Sequence, residues 1–534
     1  MKTIKTLLAT IALLLCSETM NAHDFEVDGI YYNILSENNK TVEVTFKGDT
    51  YSSNTNEYTG SVTIPQKVDY EGNEYTVTEI GEEAFRGCFK LLSVNIPNGV
   101  VTIGRVAFGE CQKLTSVAIP EGVTSIGNSA FSGCTKLTSV AIPGGVTSIG
   151  AWAFRDCTSL TSVVIPEGVT SIDGGTFSGC TSLTSVVIPE GVTSIGVGTF
   201  SGCTSLTSVV IPEGVTSIGG LAFYDCTSLT FVVIPEGVTS IGNKAFNGCT
   251  SLASVVIPEG VTSIEEYAFY GCTSLASVAI PESVTRIRAG AFYGCTSLTS
   301  VIIPGSVTQI YDYTFYGCTS LASVVIPEGV TSIGKSAFRD CTSLTSVVIP
   351  GSVQFILDYV FQGCTSLTSV VIPEGVTNIS RSAFYGCTSL TSVAIPESVI
   401  AIGALAFYDC TSLTSVVIPE GVTRIGDSAF HDCTSLISVK SLSSEEPQID
   451  TTTFHLTFGN ISKNAILYIP EGSSYPNWEP YFSKVEYLTE EEITGIEDVM
   501  PEVRKSVIYD INGLRVKDPV KGGIYIIDGE KVKL

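Results

Sequence analysis

Three histidines, three methionines and two tryptophans in 534 residues leave the chain poor in the side chains that serve metal, redox and general acid–base chemistry. Charge is scarce as well, at 15% of residues against roughly 25% in ordinary soluble domains. What charge there is has one dominant sign: 53 acidic against 28 basic residues, net −25. That balance argues against nucleic acid and anionic lipid as partners, because both are held by clustered Lys and Arg. The sequence contains no G-x-S-x-G elbow, Walker loop, dinucleotide fingerprint or H-E-x-x-H, so it offers no enzyme signature. His431 stands at a variable position and His455 in an irregular stretch, and both read as surface residues rather than bases. Beyond the first residues no apolar run reaches 18, so no transmembrane span is expected in the mature chain.

What is abundant is hydrophobic residues (44%), 51 glycines and 17 cysteines. A length prior of about 150 residues per domain suggests three or four domains, but so narrow an alphabet fits repetition better. At the N-terminus, Lys2 and Lys5, the mainly apolar run Leu7 to Leu15 and the small residue Ala22 read as a signal peptide over 1–22. The competing reading is a lipoprotein cysteine at Cys16, where Leu15 is bulky for such a site.

Sixteen cysteines, from Cys88 to Cys433, are spaced by 23 residues without a slip, and the prolines from Pro97 to Pro419 keep the same register. A typical unit reads C-T-S-L-T-S-V-V-I-P-E-G-V-T-S-I-G-x-x-A-F-x-G, and such a period signals a solenoid. In the unit beginning at Cys203, Leu206, Val209 and Ile211 have the L-x-x-L-x-L spacing of a strand with one buried face. Pro212 ends that strand because it lacks an N–H. Val215 to Ile218 form a second short strand, and Ala222, Phe223 and Cys226 return the chain through a compact turn. One coil cannot bury this set alone, so coils must stack. At roughly 4.8 Å per step the stack is expected to be on the order of 70 Å long.

Open ends of such a stack need caps. Residues 23–76, with an Asp28-Gly29 hairpin signal, are expected to form an N-terminal β cap, and 77–439 the solenoid. Register is lost after Val439, and 440–488, with Trp478 and Phe482, reads as a C-terminal cap with an aromatic lid. Residues 489–505 form an acidic linker, and 506–534, with an Asn512-Gly513 turn, a small β tail.

The pattern L-x-x-V-x-I-P-x-x-V-x-x-I-G-x-x-A-F-x-G-C resembles the BspA-type leucine-rich repeat family from residue 25 to about 488. Local departures are Thr176, Thr199, Thr314 and Val360 in place of Ala, and Phe355 in place of Ser. The tail, Y-D-I-N-G-L-R-V and G-G-I-Y-I-I-D-G-E-K-V, is similar to those of secreted Bacteroidetes proteins, some of which are sorting signals. The resemblance implies a secreted or cell-surface protein that adheres to host extracellular proteins or neighbouring cells. It implies neither enzyme activity nor a cofactor.

Several constellations remain open. The cysteines could pair, but equivalent side chains in stacked coils sit near 4.8 Å apart, beyond the usual 3.5–4.5 Å Cβ separation of a disulfide. Metal ligation is disfavoured by the spacing, and buried, reduced thiols are expected. Glutamate follows the proline in eleven units, giving either a solvated acidic edge or an attraction for Ca²⁺ or a basic partner. The outward strand position carries Val164, Val187, Val210, Val233 and Val256, then Val325, Val348 and Val371. This is an exposed apolar stripe for protein binding or self-association unless neighbouring side chains cover it. Tyr270, Tyr293 and Tyr316 share one repeat position, while Tyr267, Tyr311, Tyr313 and Tyr359 interrupt the small G-x-x-A segment. Tyrosines are enriched at binding hot spots, and they also serve ordinary packing, as Tyr224, Tyr385 and Tyr408 would. The candidate binding residues are these seven tyrosines with Val187, Val210 and Val233. The expected function is protein binding and adhesion; the alternatives are a self-associating structural surface protein and a carbohydrate-binding module built on the tyrosine rows.

Overall fold

The computed structural model describes residues 23–47, 57–449, 456–494, 508–510, 524–527 and 530–533. The signal peptide, Cys16, His455 and the Asn512-Gly513 turn lie outside these. The chain divides into two compact units, Met1–Leu206 and Thr207–Leu534, and each is a stack of 23-residue coils with two parallel sheets.

The coil starting at Cys295 shows why the sequence folds this way. Its first strand, Ser300–Ile302, pairs in parallel register with Ser323–Val325 of the next coil, Val301 opposite Val324. Val301 points inward while Ile302 is 51% exposed, the period of two that a strand imposes. Pro304 follows, and its carbonyl accepts the amide of Val307 at 3.0 Å, which closes the turn into the second strand, Gln309–Ile310. The third side is not a sheet, yet it is hydrogen-bonded from coil to coil: the amides of Gly290, Phe292 and Gly294 donate to the carbonyls of Asp312, Thr314 and Tyr316, one coil on, at 2.7–2.9 Å. Backbone groups thus find partners on all three sides, as buried ones must.

The core runs along the stack axis. Leu298, Val301, Val307, Ile310 and Phe315 are each at most 2% exposed. The phenylalanines form stacked columns, Phe85 to Phe200 in unit one at 4.9–5.7 Å and Phe223 to Phe458 in unit two; Phe292 and Phe315 lie 5.6 Å apart and 2° from parallel. Offset-stacked rings of this kind add to the large area each buries. Thr176, Thr199 and Thr314 fit the alanine position because each hydroxyl donates to the carbonyl three residues back, at 2.7–2.9 Å. A buried hydroxyl with a partner carries little penalty.

At the N-terminal end, Phe25–Val27 and Ile30–Ser36 form an antiparallel hairpin about Asp28 and Gly29, both with positive φ. Tyr58 closes over it, donating to the Thr45 carbonyl at 2.7 Å and meeting the Phe85 ring at a 43° tilt. At the other end the coil path outlasts the sequence register. Ser438–Ser441 still pairs with Ser415–Ile418, and Gln448–Ile449 with Arg424–Ile425. Phe458, 28 residues after Phe430 instead of 23, still stacks on it at 5.4 Å. Trp478 and Phe482 then close on Phe458. The acidic stretch begins as a turn of helix at 490–494, because Thr489 and Glu492 cap one another: the Glu492 carboxylate accepts the Thr489 amide and its own amide donates to the Thr489 hydroxyl.

Candidate functional site

All sixteen register cysteines are buried, and none forms a disulfide. From Cys111 onward the thiol typically donates to the carbonyl of the phenylalanine 26 residues back, as Cys295 to Phe269 and Cys318 to Phe292, both at 3.2 Å. Burial pushes these thiols up, Cys318 and Cys433 to about 12. A neutral, hydrogen-bonded thiol without solvent access is a structural group, and nucleophilic or metal chemistry would need the thiolate. Among the described residues no group of three His, Cys, Asp or Glu could hold a metal ion.

The glutamates after proline are mostly exposed. In two of the three places where the next coil has Gly instead, the carboxylate bends to the backbone: Glu282 accepts the Gly305 amide at 3.0 Å and Glu328 the Gly351 amide at 3.1 Å.

The valine stripe faces solvent. Val164 and Val187 in unit one are 64% and 59% exposed, and in unit two Val210 reaches 78% while Val233 and Val256 are about half exposed. Val325, Val348 and Val371 are half-buried. Phe231 replaces the serine beside Val233 and is 45% exposed, an apolar addition that only its departure from L-T-S-V-V could have signalled. From Thr207 to Val417 the outward strand positions and the residue before each strand carry no Asp, Glu, Lys or Arg.

The tyrosines lie on the turn side in two arrangements. Tyr270, Tyr293 and Tyr316 stack face to face at 4.7 and 4.5 Å, and the column ends under Arg339, whose guanidinium lies 5.4 Å from the Tyr316 ring. A second column, Tyr385, Tyr408 and His431, stacks at 4.9 and 5.1 Å. His431 is therefore no free surface residue: its ring is stacked and its Nδ1 lies 3.0 Å from the Asp432 carboxylate. Stacked rings offer edges and hydroxyls outward, while their faces cover one another. Tyr267, Tyr313 and Tyr359 stand apart at the third residue of G-x-x-A, directly before the alanine position, all with φ between 55° and 63°. Each coil is left-handed there whatever the residue; Gly175, Gly198 and Gly290, glycines at this position, were the sequence signal for it. Tyr311 lies 5.7 Å from the Arg288 guanidinium, and Arg339 also reaches the Tyr359 ring at 5.9 Å.

Phe355, in place of the usual serine on the second sheet, is 47% exposed between two grooves. One, of about 370 Å³, runs along Thr331 and Ser332; the other, of about 250 Å³, runs along Asn378, Ala401 and Arg424.

No helix among the described residues is long and apolar enough to cross a membrane. No curated protein matches the chain. Among solved structures it is similar to a leucine-rich repeat protein from Bacteroides ovatus ATCC 8483, at 34% identity over 75% of this chain and 95% of that one, with a TM-score of 0.62. A leucine-rich cell surface protein from Faecalibacterium prausnitzii A2-165 aligns at 28% identity over 79% and 94%, with a TM-score of 0.36. The model of the BspA type leucine-rich repeat region matches five overlapping segments between residues 66 and 467. With sixteen cysteines in one register, a buried phenylalanine column and that match across most of its length, the chain belongs to the BspA-type leucine-rich repeat family.

Proposed function

We propose that the protein is secreted or held at the cell surface and binds other proteins there, adhering to host extracellular proteins or to neighbouring cells, without catalysing a reaction. The observation that carries this reading is where the coils differ. In a chain of near-copies, Tyr267, Tyr270, Tyr293, Tyr311, Tyr313, Tyr316, Tyr359, Arg288 and Arg339 gather on the turn side of unit two. Tyrosine and arginine are the residues that dominate protein–protein hot spots. The signal peptide over 1–22 and a sorting role for the tail belong to the same proposal. Sugar binding on the stacked column has less support, since ring faces that cover one another are closed to a pyranose. The test is binding of the mature chain, residues 23–534, to a panel of purified extracellular-matrix proteins and to intact cells. Binding that weakens when the tyrosines are replaced supports the reading, and failure across the panel sinks it.

A second reading, self-association, is favoured by the charge-free outer face of the first sheet from Thr207 to Val417, with Phe231, Val210 and Val233 on it. Charged residues are depleted at interface cores. Sedimentation over a range of concentrations decides it: assembly without any ligand supports it, and a monomer throughout refutes it.

A further inference from the structure

In six successive coils of unit two, the pair of residues before the buried alanine position alternates. Glu266-Tyr267, Asp312-Tyr313 and Asp358-Tyr359 occupy every second coil; Ala289-Gly290, Lys335-Ser336 and Arg381-Ser382 occupy the coils between. The second member of each pair has a left-handed backbone, a conformation that suits glycine and disfavours a β-carbon. The fold accepts glycine here, as Gly290 shows, so backbone geometry does not call for three tyrosines. Nor do they extend the stacked column: Tyr267 lies at 70° to Tyr270, and Tyr313 at 55° to Tyr316. Tyr267 leans onto Gly290, where a β-carbon would meet its ring. Ser336 and Ser382, in the same relation to Tyr313 and Tyr359, are each 2% exposed. The middle ring, Tyr313, is 40% exposed.

Spacing selects the partner. Neighbouring rings on this side advance 5.4 and 5.6 Å per coil in the phenylalanine column and 4.7 and 4.5 Å in the tyrosine column, so tyrosines two coils apart are separated by roughly 9–11 Å. A β-strand returns a side chain to one face every ~6.7 Å, which does not match. A polyproline II helix does so every three residues, at ~9.3 Å. An α-helix returns one after seven residues, at ~10.5 Å, but helix recognition uses an apolar groove, and here exposed carboxylates flank the rings. Glu266 and Asp312 are exposed; Asp358 is half-buried and lies 3.3 Å from Lys335. Lys335 and Arg381 stand at the same position in two of the coils between, and Lys244 and Arg339 lie over the Tyr267 and Tyr359 rings. The charge that selects Arg or Lys in the ligand is therefore confined to the exposed carboxylates Glu266 and Asp312 at the Tyr267–Tyr313 end.

We propose that Tyr267, Tyr313 and Tyr359, with Glu266 and Asp312, form a docking strip for a basic, proline-rich segment in the polyproline II conformation. This rests on the protein-binding reading above and names its partner class. Proline rings lie on successive tyrosines, and the basic residues of the segment meet the carboxylates.

The experiment titrates the mature chain with three labelled peptides of equal length, built of Pro-Pro-Arg, Pro-Pro-Glu and Gly-Gly-Arg units, by fluorescence anisotropy. Pro-Pro-Arg binds saturably, and the other two bind at least about tenfold more weakly, one lacking the charge and the other the preformed helix. Tyr313→Gly, which copies Gly290 and leaves the charge unchanged, weakens Pro-Pro-Arg at least about tenfold without lowering the melting temperature. Tyr224→Ala, away from the strip, changes nothing. Equal binding of Pro-Pro-Arg and Gly-Gly-Arg, or unaltered binding by Tyr313→Gly, overturns the proposal, as does capture of a neutral oligosaccharide by the same tyrosines in place of the peptide. If the chain binds proteins in the panel but not Pro-Pro-Arg, this inference fails and the protein-binding reading stands; if it binds neither, both fail.

Discussion

Alkali should unfold this protein through its cysteine column. Each coil buries one thiol, and in most coils burial raises its pKa, to about 12 at Cys318 and Cys433, whereas an unfolded chain's thiols ionise near 8.5. A group whose folded pKa lies above its unfolded value contributes stability that is fully present below about 8.5 and lost as pH rises towards the folded value. The loss per thiol is slight at pH 8, about 1 kcal/mol at pH 9.5 and about 3 kcal/mol at pH 10.5. A 23-residue coil, at roughly 0.05–0.15 kcal/mol per residue, has about 1–3.5 kcal/mol of net stability. The two cross between about pH 9 and 11, and because coils depend on their neighbours the loss is cooperative. The assay is circular dichroism on thermal ramps from pH 7 to 11 with reductant present. The melting temperature should hold to about pH 8.5 and fall steeply beyond it. Replacing Cys272, Cys295 and Cys318 by Ala removes three hydrogen bonds to carbonyls, so that variant should melt lower at pH 7 yet lose less between pH 8 and 10. A parent melting temperature that is flat to pH 10.5, or identical slopes for parent and variant, would refute the reasoning.

In the folded state at pH 8 no register thiol should react with a thiol-specific disulfide reagent, and all sixteen should react after denaturation; free reaction in the native state would mean that coils open readily. Phe292→Ala should cost about 3–5 kcal/mol, with hydrogen exchange accelerated chiefly in the coils of Phe269 and Phe315, on which its ring stacks. Gly290→Ala should cost about 1–2 kcal/mol, because φ is +61° and Tyr267 occupies the space a β-carbon would enter; an unchanged melting temperature would contradict both points.

Repetition made the fold readable. A residue recurring every 23 positions must meet its own copy in the next coil, so the buried roles of Leu298, Val301, Ile310, Phe315 and Cys318 follow from the alignment of the sequence with itself. The same logic failed at the end of unit two, where an insertion breaks the sequence period but not the coil: Phe458 reaches the phenylalanine column from outside the register because the ring column, not the spacing, is what the core requires. Hydrogen bonds from thiols to carbonyls were also out of reach, since a cysteine's burial can be inferred from its period but the carbonyl it faces depends on how the preceding turn is wound.

The tyrosines show the harder limit. Tyr270, Tyr293 and Tyr316 stand at a different repeat position from Tyr267, Tyr313 and Tyr359, but the sequence does not say which of the two positions needs a large ring. The backbone separates them. The first three share a repeat position with Tyr385 and Tyr408, stack one coil apart and are accounted for by that packing. The others occupy a left-handed position where Gly290 shows that the smallest residue suffices, so packing alone does not explain a large side chain there. A departure from consensus carries information about binding only where the fold would be as well served without it, and that condition is met at Tyr313 and not at Tyr293.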